Sequence, residues 1–119
     1  MNQQTIERLI RGYQAGVQHP EVSGMEHLQL LQVRSKLADI LHELSKVEQA
    51  QIAQADQILL ANANAFWEAI NEIADLDAWR IQGNIPHDHW WWYLDIIVHL
   101  PVNYIKNTAQ TMVVQPALA

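Results

Sequence analysis

The chain has 119 residues, 13 acidic against 7 basic side chains and no cysteine, for a net charge of −6. That length predicts one domain, and the missing cysteines exclude disulfides and thiolate metal centres. The basic residues stand singly, at Arg8, Arg11, Arg34, Lys36, Lys46, Arg80 and Lys106, without the clustering that phosphate tracking needs, so nucleic acid is not an expected partner.

Half the residues are hydrophobic, and there are only four glycines and four prolines. Long stretches free of both breakers predict an all-α protein. The start, MNQQTIERLIRGY, lacks the apolar run of a secretory leader, and no stretch approaches the length of a membrane span. A cytoplasmic, membrane-independent protein is the expectation.

In chain order, Ile6, Leu9, Ile10, Tyr13 and Val17 recur at helical spacing and predict a first helix over about residues 2 to 16. Gly12 and Gly16 near its end suggest fraying or the close approach of a neighbour. After QHPEVSG, Ser23 and Glu26 have the spacing of a capping box and open a second helix to about residue 44. Its stripe is Leu30, Val33, Leu37, Ile40 and Leu44, widened by Leu28, Leu31, Ala38 and Leu41.

Ser45 and Glu48 repeat the capping pattern and predict a turn, hence an αα-hairpin. The competing reading is one helix through residues 24 to 74, roughly 75 Å long at about 1.5 Å per residue. The third helix is expected over about residues 46 to 74, with Ile52, Leu59, Phe66 and Ile73 seven apart and Leu60, Trp67 and Ala74 beside them. Asn62 falls among its inward positions, where an asparagine can fix register, or at the stripe's edge. DLDAWRIQGN reads as the main linker, with Gly83-Asn84 as a turn.

Pro86 and Asp88 suit the first turn of a fourth helix, which should end near residue 100 because Pro101 follows. The expectation is therefore a bundle of four main helices in one domain, residues 1 to 109. Tyr104 and Ile105 are expected to dock on it, and residues 110 to 119 are expected to form a mobile tail.

HDHWWWYLD, residues 87 to 95, is the densest aromatic stretch. On a regular helical wheel Trp90, Trp91, Leu94, Ile97 and Val98 share a core-facing side. His89, Trp92, Ile96 and His99 fall opposite, where a helix coating a bundle should be polar. These four are the candidate interaction surface, for a second subunit or another protein. The alternative is that the linker or the tail folds over them.

Histidine metal sites are poorly supported. His89 and His99 are ten residues apart, and no E-x-x-H pair occurs. Asp95 and His99, four apart, can chelate or simply pair. No phosphate-binding glycine loop and no nucleophile elbow is present, so no catalytic residue, metal or cofactor is assigned. The expected function is protein–protein contact by a small acidic helical protein, an adaptor, inhibitor or assembly factor, with homodimerisation expected. The alternatives are a bundle holding an aromatic small molecule among Tyr13, Trp67, Trp79 and Trp90, and a metal-dependent enzyme using His42, Asp95 and His99.

Overall fold

Four helix starts are marked by a short polar side chain that captures an otherwise unpaired backbone N–H. In this computed structural model, which describes residues 1–100, Asn2 accepts from Thr5 N and begins α1 (Gln3–Gly16). Ser23 accepts from Glu26 N and begins α2 (Gly24–Asp39). Ser45 and Glu48 complete a reciprocal capping box at α3 (Lys46–Ala61). α4 (Ala63–Asn71) follows a break at Asn62, and Asp75 caps α5 (Leu76–Gln82). A 3-10 turn, Trp90–Tyr93, runs directly into the single-turn α6 (Leu94–Ile97).

The described residues are all-helical, with no strand among them. The capping box at Ser45 does separate α2 from α3, with a 3-10 turn at Leu41–Glu43 between them, so the single long helix is excluded. At Ser23 only half of the box forms: Ser23 accepts, and no return bond from Glu26 is made.

Three expectations are corrected. The helix predicted over residues 46 to 74 is two helices. Asn62 Nδ2 donates to Val17 O at 2.9 Å, so this half-buried asparagine closes the end of α1 while the chain restarts as α4. The break changes the phase of the apolar face: Phe66 and Ile70 are buried, whereas Ile73, predicted inward, is 52% exposed. The supposed linker holds α5, and its Gly83-Asn84 turn is real, with Asn84 at a φ of 51°, a left-handed conformation asparagine tolerates. The fourth helix, predicted from Pro86 to about residue 100, is reduced to the 3-10 turn and α6. The described residues thus contain six α-helices rather than four. The predicted docking of Tyr104 and Ile105 and the tail over 110 to 119 lie outside the described residues.

α1 packs on α2 and α3, α2 also on α4, and α4 on α6. Leu28, Leu31 and Leu37 of α2, Ile52 and Leu59 of α3, Phe66 and Ile70 of α4 and Leu94 of α6 form the centre of the core. Gly24 permits the α2–α4 contact, since a Cβ there would stand 2.3 Å from Ala69 O. Between α1 and α2, Gly16 faces the side chain of Leu30, the close approach suggested by the sequence.

Candidate functional site

The aromatic stretch is gripped from two sides. On one side stands α2. Trp91 Nε1 and Trp92 Nε1 both donate to Ser35 Oγ, at 3.0 and 2.8 Å. His89 Nδ1 lies 3.2 Å from the same oxygen, and its ring stacks on Trp91 at 4.6 Å. A serine hydroxyl offers two lone pairs and one proton, and an indole N–H only donates. The two indoles therefore fill the lone pairs, the serine proton goes to His89 Nδ1, and His89 carries its own proton on Nε2.

On the other side stands α5. Arg80 forms a two-pronged pair with Asp95, at 2.7 and 3.0 Å, and donates to Trp92 O at 2.8 Å. Its guanidinium also lies 4.5 Å from the Tyr93 ring centroid. The hydrogen bonds that Arg80 donates to Asp95 outweigh partial burial and raise the Arg80 pKa above its ordinary value. Trp79 of α5 stacks on Trp92 at 6.1 Å.

Beneath Trp91 lies a buried polar cluster that the sequence reading did not single out. Arg34 Nε and Nη2 donate to Asp56 Oδ1 and Oδ2 at 2.8 and 3.0 Å. Tyr13 donates its hydroxyl to Asp56 Oδ1 at 2.6 Å. The guanidinium stacks 4.0 Å from the Trp91 centroid, and its Nη1 is buried without a partner. Burial works against the Arg34 charge, but hydrogen bonding and attraction from Asp56 outweigh it and hold the pKa above its ordinary value. Burial, then the Asp56 charge, push the Tyr13 hydroxyl well above its ordinary pKa. The cluster ties α1, α2 and α3 to the aromatic stretch.

A sign of it was present in the sequence. Arg34 lies between Leu30 and Leu37, Asp56 between Ile52 and Leu59, and Tyr13 between Ile10 and Val17, each at helical spacing on an apolar face. One acid and one base on two buried faces can be reconciled most simply by pairing.

The candidate surface is only partly assembled. Trp92 is 2% exposed and belongs to the core, so its placement on a contact surface is corrected. The wheel that put it outside assumed a regular α-helix from residue 86. The chain is non-helical before Trp90 and then turns with the tighter 3-10 geometry, so both indoles reach Ser35. His89 is half-buried against Trp91 and Ser35. Ile96 and His99 are exposed, Ile96 at 49%, and His99 meets the half-buried Trp67 in a T-shaped contact at 5.7 Å.

Several residues named for the alternatives make contacts within the chain. Tyr13 is bonded to Asp56, Trp79 is stacked on Trp92, and Trp67 meets His99. Asp95 is paired with Arg80, and among the described residues no three His, Asp or Glu side chains converge as a metal site requires. Ser35 and His89 approach as a nucleophile and base would, but both serine lone pairs are already occupied. No described helix is long and apolar enough to cross a membrane. Compared with known proteins, the chain matches no family model, and neither a curated protein nor a solved structure is significantly similar to it.

Proposed function

We propose that the protein is a non-catalytic binding module whose contact face is the junction of α4 and α6, centred on Ile96 with His99 and Trp67. The observation that carries this is Ile96 itself. Its neighbours Leu94 and Ile97 are core residues, yet Ile96 stays 49% exposed on the same short helix. Next to it, Asp95 is neutralised by Arg80, so the face does not oppose a free carboxylate there to an approaching acidic surface. A second copy of this acidic chain is therefore the proposed partner. Of the four residues first assigned to the surface, Ile96 and His99 remain in the reading.

Sedimentation of the wild type and Ile96→Lys at tens of micromolar tests it. A dimer that Ile96→Lys turns into a folded monomer supports the assignment, and a monomeric wild type removes self-association.

A further inference from the structure

The α1–α2 pair opens, beyond the tight contact at Gly16, into a cleft of about 310 Å³ lined by Gly12, Ala15, Val22, His27 and Leu30, among others. Two features of it are left unexplained by the fold. A Cβ at Gly12 would meet nothing within 4 Å, so this glycine, inside a helix, is not required by any neighbour in the chain. A glycine there costs stability relative to alanine. The second feature is His27, only 1% exposed and stacked on Phe66 at 3.8 Å. Its Nε2 lies 3.1 Å from Pro20 O. A carbonyl only accepts, so Nε2 carries the proton and Nδ1 of the neutral ring is an acceptor. Among the described residues Nδ1 has no hydrogen-bond partner, and it is not among the fully enclosed atoms. His27 is one of the residues that line the cleft.

We propose that this cleft binds a small phenol-like molecule, its ring lying on the α1 backbone at Gly12 and Ala15 and its hydroxyl donating to His27 Nδ1. The missing Cβ at Gly12 lets a flat ring approach the helix closely, and Val22 and Leu30 supply apolar walls. Only a donor fits the free nitrogen, because Nε2 holds the proton. Burial lowers the His27 pKa, against the raising effects of the Pro20 carbonyl, Glu26 and Glu21, and so favours the neutral, accepting ring. The site is independent of the Ile96 face.

Nuclear magnetic resonance titration of the full chain with p-cresol and with toluene, which lacks the hydroxyl, tests the proposal. The expected result is saturable shifts at Gly12, Ala15, Val22 and the His27 ring with p-cresol. Toluene should bind about two- to tenfold more weakly, the range of one net hydrogen bond. Gly12→Leu, whose side chain enters open space and leaves the fold intact, should abolish binding, whereas Ile96→Lys should leave it unchanged. Absence of saturable shifts, equal binding of toluene, or full binding by folded Gly12→Leu overturns the proposal.

Discussion

Trp92 Nε1 donates to Ser35 Oγ at 2.8 Å, and the hydroxyl that receives it also receives Trp91 at 3.0 Å. One small side chain on α2 thus satisfies two bulky ones 56 and 57 residues later. It anchors a segment that has almost no regular helix of its own. Ser35→Ala should strand both indole donors and cost about 2–6 kcal/mol in chemical denaturation, since each unsatisfied partly buried donor costs about 1–3 kcal/mol. Ser35→Thr keeps the oxygen and should recover part of that loss. A loss within about 0.5 kcal/mol for alanine, the range of an ordinary surface substitution, would deny Ser35 this role.

The Arg34–Asp56 pair should behave as a buried ion pair does. Asp56→Ala leaves an uncompensated guanidinium among apolar residues and should cost about 3–5 kcal/mol. Tyr13→Phe removes one charge-assisted bond and should cost about 1.5–3 kcal/mol. The double variant Arg34→Met with Asp56→Leu should recover much of the Asp56→Ala loss, because removing both charges also removes their desolvation. A double-mutant cycle on Arg34 and Asp56 that shows no coupling would contradict the geometry.

These two sites show what was and was not legible beforehand. Helix content followed from breaker scarcity, and the Ser45 turn from a capping box, because both signals are local. The break at Asn62 depends on a carbonyl 45 residues away, at the C-cap of α1, so periodicity ran through it. α5 was missed because its seven residues are too few to show a helical period. Trp92 was misplaced because a wheel assumes constant twist, and WWWY turns as a 3-10 segment. Of the proposed face, Ile96 and His99 could be read from spacing; the neutralisation of Asp95 required Arg80 from an element not anticipated.

His27 gives a pH dependence with a definite sign. Its folded pKa is lowered below the ordinary histidine value, chiefly by burial. The unfolded chain therefore binds the proton more readily, and the stabilising contribution is complete above about pH 6.5 and lost as pH falls through the lower folded value. Denaturation of the wild type and of His27→Phe between pH 7.5 and 5 should show the steeper loss in the wild type. Parallel curves would assign the acid sensitivity elsewhere.

The glycines separate by what surrounds them. Gly12→Ala should stabilise by about 0.5–1 kcal/mol, since its Cβ meets nothing and the helix gains propensity. Gly24→Ala should destabilise by more than this gain, because its Cβ would stand 2.3 Å from Ala69 O, a backbone atom that moves only with α4. Thermal melting of both variants provides the comparison, and a shared sign would refute the packing described for one of them.

Truncating the aromatic stretch distinguishes core from surface. Trp91 carries the Arg34 stack and Trp92 the Trp79 stack, and each is 2% exposed. Trp91→Ala and Trp92→Ala should therefore each cost about 3–5 kcal/mol, as loss of a packed core tryptophan does. Ile96→Lys should change stability by no more than about 0.5 kcal/mol, because a partly exposed position lets the lysine stem lie on the surface with its charge in water. Stability and association state measured on the three variants together separate the roles. Large stability losses for both tryptophans, with an association change confined to Ile96→Lys as long as the chain stays folded, agree with the geometry. A Trp92→Ala variant that melts like the wild type would return that side chain to the surface and undo the role assigned to Ser35.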